Sequence, residues 1–269
     1  MTEESPELEP QASTMRTVQW NINGGMRRDT ESDPWKIASF DVPDLEYFIN
    51  VLRKIDADVV TLQEVHVGDV DQARLIADAL GMSYLVVDDY NESHLAEGER
   101  LAQAILSRYP IKDHEFVMFE NPGVEVTYGG VTAPIHDKGL TRVNVELPSG
   151  EVGICTTALI PFKIAGVDPL GESELDIRIR DDVNRKLAST ASRLIIQGDF
   201  NVDLPSLEQF VPTLFQDGTH EVVQDAYTTP REKRYDHVFF KGVELAESVT
   251  QEGGLADHYP IVSDFKITG

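Results

Sequence analysis

Apolar and polar positions along the chain follow two periods, and the period changes from one segment to the next. Residues 45–55, LEYFINVLRKI, space their apolar members by three and four, which predicts an amphipathic helix. Residues 71–80, DQARLIADAL, repeat that spacing and stop at Gly81, the residue type suited to the left-handed turn past a helix end. Short β-branched runs predict strands around them: MRTVQWNI from Met15, VVTL within 56–65, MSYLVVDD at 82–89, and RLAQAILSRYP at 100–110, stopped by Pro110.

The middle of the chain turns richer in strand signals. HEFVMFE (114–120), LTRVNVEL (140–147) and EVGICTTAL (151–159) read as consecutive strands, the last two joined tightly by PSG. Residues 163–180 are mixed, a loop feeding a helix at about 173–191. RLIIQGDFN (193–201) is a strand running into a loop, and LEQFVPTLF (207–215) a short helix. RYDHVFFKG (234–242) and DHYPIVSDFKI (257–267) are the last strands. No repeat at solenoid periods and no strong linker divides the chain. The expected organisation is an acidic, Glu/Pro-rich disordered tail over 1–14 and one domain over 15–269.

Composition narrows this picture. With 41% hydrophobic residues in 269, the chain can bury a sizeable core, yet no apolar run approaches the roughly 20 residues that span a bilayer. MTEESPELEPQAS lacks the apolar core of a secretory signal. The single cysteine, Cys155, excludes an internal disulfide and fits a reducing cytoplasm, the expected location; a monomer is expected. Charge is the unusual number: 47 acidic against 23 basic residues, a formal net charge of -24. Such a surface repels a polyanion, which argues against a general nucleic-acid coat protein. The favoured reading is adaptation to high salt, where charge repulsion is screened; the other is a substrate that is small or locally gripped.

Four predicted strand ends carry polar residues that a plain core would not choose. Asn21 and Asn23 follow the first strand, Gln63 and Glu64 close the second, Asp199 and Asn201 lie past LIIQG, and Asp257 and His258 precede Pro260. Each alone has an ordinary reading as a turn cap or solvated edge. Together they offer hard oxygen ligands and one histidine, the donor set of a magnesium-type site, while multi-cysteine or multi-histidine zinc patterns are absent.

In their order, QWNINGG, TLQEVH, GDFNVD, RYDHVFF and ADHYPIV resemble the endonuclease/exonuclease/phosphatase (DNase-I-like) superfamily, over about Val18 to Asp264. The resemblance implies a four-layer α/β sandwich: two mixed β-sheets packed face to face, with helices on both outer sides. It implies hydrolysis of phosphate esters with Mg2+ or Mn2+. By motif, Glu64, Asn21 and Asp257 match metal-side residues, and Asn23 a phosphate contact. Asp199 matches the carboxylate that activates water, Asn201 an amide on the phosphate, His258 the essential histidine and Asp236 its orienting carboxylate. Phosphodiesters in DNA or another nucleic acid are the expected substrate; a phosphatase, a phospholipid phosphodiesterase and a non-catalytic phosphate-ester-binding module are the alternatives.

One position departs from the family. Many members carry a further histidine in a T-T-H-L frame on a middle strand, where it touches phosphate and protonates the leaving group. Here the frame reads T-T-A-L, with Ala158 in that place. The alanine can be a deliberate replacement that disables turnover. Alternatively, His94, His136 or Lys138 acts in its stead, or the protein only binds. His136, Lys138 and Arg142 form a local basic cluster able to receive a phosphate, which Arg100 and Arg108 could join, although an ordinary solvated role suits each. Trp35, Tyr90 and Tyr128 could stack on bases, or simply pack.

Overall fold

A computed structural model describes residues 13–128, 131–224 and 226–268. Apart from residues 13 and 14, the expected acidic tail lies outside the described residues. Strand β1 (Ser13–Asn21) begins before Met15, because Ser13 already pairs with Ile267. A short turn leads to β2 (Met26–Arg27), which pairs with β3 (Val42–Pro43). Helix α1 (Leu45–Ile55) is capped by the Asp44 carboxylate, which accepts from the Tyr47 amide. β4 (Val59–Val67) follows, then α2 (Gln72–Leu80), capped by Asp71 and closed by Gly81 in the left-handed conformation expected for it. β5 (Tyr84–Glu92), β6 (Arg100–Ser107) and β7 (Ile111–Met118) complete the first half.

The second half opens with a hairpin, β8 (Glu125–Tyr128) and β9 (Val131–Pro134), in a region read from sequence as loop. β10 (Gly139–Leu147) and β11 (Gly150–Ala158) form the expected tight pair. Helix α3 (Phe162–Ala165) precedes α4 (Glu174–Leu187), whose first turn is closed by a reciprocal Ser173–Asp176 capping box. β12 (Leu194–Asp199), α5 (Pro212–Gln216), β13 (His220–Glu221), β14 (Asp236–Lys241), β15 (Glu244–Thr250) and β16 (Ile261–Ile267) finish the chain. Of LEQFVPTLF only the part from Pro212 is helical, since proline fits the first turn of a helix and breaks its interior. β15 lacks an apolar run because it is an edge strand, and Glu244 and Glu247 along it discourage pairing with another chain.

Two six-stranded mixed sheets result, ordered β15-β16-β1-β4-β6-β5 and β13-β14-β12-β11-β10-β7. They stack face to face on a layer that includes Met15, Val59, Ile105, Val145, Ile154, Ile195 and Phe265. Helices α1 and α2 bury Phe48, Leu52 and Ile76 on the first sheet, while α4 places Ile179, Val183 and Leu187 on the second. This is the expected four-layer α/β sandwich. Among the described residues, no helix is long and apolar enough to cross a membrane.

Toward one end, the layer between the sheets becomes polar. Gln19 Nε2 donates to Gln63 Oε1 at 2.8 Å, Gln63 Nε2 to Thr156 Oγ1 at 2.7 Å, and Gln197 Nε2 to Thr61 Oγ1 at 2.9 Å. Hydrogen bonds between the sheets specify their register more sharply than apolar contact can, because each mismatch would strand a buried amide at about 1–3 kcal/mol.

Candidate active site

Each sheet holds one parallel pair near its centre, β1 with β4 and β11 with β12. Parallel neighbours end on the same side, so both pairs bring their carboxyl ends to one rim. The register sets Asn21 opposite Gln63 on the first sheet. On the second it aligns Ala158, Asp199 and Asp236 on three adjacent strands. The loop before β16 then delivers Asp257 and His258, the latter anchored where the Trp20 indole donates to its carbonyl at 2.9 Å.

His258 is the hub. Its Nδ1 lies 2.8 Å from Asp236 Oδ2, and its Nε2 points to Asp199 Oδ2 at 3.9 Å. Asp236 is fully buried, and its other oxygen accepts from Gln19 Nε2 at 2.8 Å. Burial opposes a charge on His258, but Asp236 and Asp199 outweigh it and hold the imidazole up at about 10. The ring is therefore a cation near neutrality. Asp199 moves the other way: burial, then the nearby Asp236 and Glu64 charges, raise it to about 7 against the pull of His258. Its Oδ2 accepts from Asn21 Nδ2 at 3.1 Å and its Oδ1 from the Asn201 amide at 2.9 Å.

Asn201 holds a left-handed backbone (φ 52) and turns its Nδ2 onto the Leu159 carbonyl at 2.9 Å, tying the loop after β12 to the end of β11. Asn23 is also left-handed (φ 46), with its amide donating to Asn21 Oδ1 at 3.0 Å.

Glu64 sits in a bulge: the pairing of β4 with β6 slips between Leu62 and Val65, and Glu64 has φ 55. Bulges re-aim side chains beside active sites. This one brings Glu64 Oε1 to 3.4 Å from Lys138 Nζ, on the opposite sheet. Burial is the largest influence and would raise Glu64, but Lys138, His94 and His258 together outweigh it and lower the carboxyl. Lys138 is only 5% exposed and lies over the Tyr90 ring, 4.9 Å from its centre. The rings of His94 and His136 are 5.0 Å apart beside them.

One feature bears on Asn21, Glu64 and Asp257 as cation ligands. Asp257 Oδ1 is buried without a hydrogen-bond partner, and burial followed by the Glu64 charge raises that carboxyl. A buried carboxylate oxygen without a donor is costly unless a cation takes it, and amide and carboxylate oxygens suit a hard divalent ion. The residues fit. Asp199, Asp236 and His258 also have ligand atoms within 4.8 Å of one another, but His258 Nδ1 is already engaged by Asp236.

Arg142 does not join the site. Strand alternation points Thr141 between the sheets and Arg142 outward, where it donates to the Lys186 carbonyl and, at 3.2 Å, to that of Ala188 at the end of α4. Basic groups favour helix carboxyl ends, and Glu115 at 3.0 Å completes its surroundings. Arg100 is paired with Asp89, and Arg108 with Asp56 and Asp58. Tyr90 is 4% exposed, so it cannot stack on a base, whereas Trp35 is 56% exposed. The Tyr128 side chain lies outside the described residues. Sequence reading missed Gln19 as the partner of Asp236; its only signal is a glutamine amid the apolar positions of TVQWN.

His136 carries an acid-sensitivity expectation. Burial first, then Lys138 and His94, push it down to about 4 from an ordinary 6.5. Between those values the unfolded chain binds a proton that the folded chain does not, so stability falls as pH drops through that window. The ring is partly solvated, so the effect is discounted for screening to about 1 kcal/mol. His136→Gln is expected to flatten the stability loss from pH 6.5 to pH 4 by that amount, read by denaturant unfolding at each pH; an unchanged slope would contradict it.

Residues 18–264 match the sequence model described as the Endonuclease/Exonuclease/phosphatase family. No curated protein matches the chain. The fold is similar to that of an endonuclease/exonuclease/phosphatase from Beutenbergia cavernae at TM-score 0.72 and 20% identity, over 95% of this chain and 72% of that one. It is similar to the Bacteroides thetaiotaomicron mannosyl-6-phosphatase Bt3783 at TM-score 0.62 and 14% identity, covering 93% and 99%. The human Nocturnin catalytic domain, solved with a bound sulfate anion, gives TM-score 0.61 at 15% identity, covering 98% and 97%. With the family match spanning nearly all of the sandwich, this chain belongs to the endonuclease/exonuclease/phosphatase family.

Proposed function

We propose that the chain is a metal-dependent phosphoesterase acting on phosphodiesters, in DNA or another nucleic acid. The observation that carries this reading is His258, held at 2.8 Å by Asp236 with its free nitrogen toward Asp199. That arrangement places a cationic donor and a carboxylate on one small space at the rim.

Asp199 orients the attacking water and takes its proton, while Asn21 holds the carboxylate in place. The His258 imidazolium donates from Nε2 to the phosphoryl oxygens as charge builds there, and Asp236 and Gln19 keep the ring aligned. Asn23 and Asn201 shape the adjoining loops, their backbone amides holding Asn21 and Asp199, and the family motif assigns both to phosphate contact. A Mg2+ or Mn2+ ion held by Asn21, Glu64 and Asp257 would neutralise phosphate charge and stabilise charge developing at phosphorus.

Ala158 is fully buried and brings only a methyl group. The Lys138 ammonium, backed by His94 and His136, supplies the positive charge for which the family otherwise uses a strand histidine. Burial disfavours that charge, but the surrounding acidic groups, Glu64 and Asp199 among them, outweigh it and raise Lys138, so the ammonium persists across the working range.

A second reading, a small phosphate monoester as substrate, is favoured by the net charge of -24, which repels long polyanions. Bis(p-nitrophenyl) phosphate, single-stranded DNA and p-nitrophenyl phosphate, each assayed with Mg2+ or Mn2+ and with EDTA, separate the readings. Diester hydrolysis that needs metal is expected, and Lys138→Met should slow it about 10–10²-fold. If only Ala158→His turns over, the chain is a disabled enzyme and Lys138 lacks this role. If both are inert while phosphate still binds, the protein is a binder.

A further inference from the structure

Tyr90 presents a buried polar group that the chemistry above does not use. Its hydroxyl is enclosed against the Lys138 ammonium, itself a donor, and among the described residues no acceptor takes its proton. Such a group is rare in a native interior, because leaving a hydroxyl unpaired costs stability. Its backbone is equally specific. Pairing of β5 with β6 slips between Asp89 and Asn91, so Tyr90 is the extra residue of a bulge. Without the slip, strand alternation would carry the side chain elsewhere. Two bulges on one sheet, at Glu64 and at Tyr90, thus turn two side chains toward the same rim.

The ring leans under Lys138, and the hydroxyl feels the charges of Lys138, Glu64 and Asp199. Burial dominates and lifts the phenol to about 12, so it keeps its proton and remains a donor. An acceptor that would suit it must be compact and, beside the Lys138 ammonium, anionic.

We propose that the Tyr90 hydroxyl is a phosphate-contacting donor of this site, hydrogen-bonding a phosphoryl oxygen beside Lys138. It rests on the phosphoesterase reading and adds to it a neutral donor from the edge strand of the first sheet. Lys138 and Tyr90 then supply phosphate contacts that the Ala158 methyl group cannot.

Tyr90→Phe removes one oxygen and keeps the packing. With bis(p-nitrophenyl) phosphate and Mn2+, kcat should fall about 10–10²-fold with a smaller change in KM. The melting midpoint should hold or rise by about 2–4 °C, since the unpaired hydroxyl is gone. Inorganic phosphate should raise the wild-type midpoint more than the variant's. A variant as active as wild type overturns the contact and leaves the phosphoesterase reading standing, and a variant whose midpoint drops assigns Tyr90 a structural role instead. If wild type hydrolyses nothing while phosphate stabilises it more than the variant, the contact stands and the hydrolytic reading falls. If phosphate stabilises both equally, the contact is wrong.

Discussion

His258→Phe is expected to lower kcat by about 10³–10⁴-fold and to destabilise the fold by about 3–5 kcal/mol. The two losses have different causes. Activity goes because the imidazolium facing Asp199 is gone. Stability goes because Asp236, fully buried, loses its ion-pair partner and is left with the Gln19 amide. Phenylalanine roughly conserves volume, so a cavity is not the cause. Adding Asp236→Asn to the variant removes the stranded charge while Gln19 can still donate to the remaining carbonyl oxygen. The double variant should therefore recover most of the stability and none of the activity. Denaturant unfolding and diester turnover on the four members of this cycle measure both. Equal stability of the single and double variants would mean that Asp236 and His258 are not an ion pair, and the cationic role of His258 would fail with it.

The residues of that cycle were legible in sequence because each sits in a short motif at a strand end. RYDHVFF and ADHYPIV lie about twenty residues apart, yet the fold needs only two strand endings to bring Asp236 and His258 to 2.8 Å. Helices α1 and α2 were legible for the same local reason: spacing, an aspartate cap and a left-handed closing residue. The pairing of Glu64 with Lys138 was not, since it joins different sheets and depends on a bulge that leaves no pattern in TLQEVH. Arg142 shows the converse. Proximity to Lys138 in sequence suggested one basic cluster, but strand alternation sent it to the opposite face, where the carboxyl end of α4 takes it. Edge features fared worst. β15 and the β8–β9 hairpin carry too few apolar residues to register as strands, because hydrogen bonding to a neighbour, more than burial, holds them.

Gly198→Ala is the other change of large expected effect, and its reason lies in the strand rather than in the loop that follows. In GDFN the left-handed residue is Asn201, not the glycine. Gly198 lies within β12, flanked by β11 through Thr157 and by β14 through His237. A Cβ added there would stand 2.1 Å from the Thr157 carbonyl oxygen and 2.8 Å from its amide nitrogen. Both are backbone atoms held in the sheet, so neither can rotate away as a side chain would. Relief requires β11 and β12 to separate where Ala158 and Asp199 are paired. The expected cost is about 3 kcal/mol or more, with turnover reduced about 10²-fold as Asp199 shifts from the His258 side. Thr157→Gly should not rescue the variant, because the obstruction is main chain. If it does rescue, side-chain crowding explains the glycine; if Gly198→Ala folds and turns over normally, the close approach of the two strands does not set the position of Asp199.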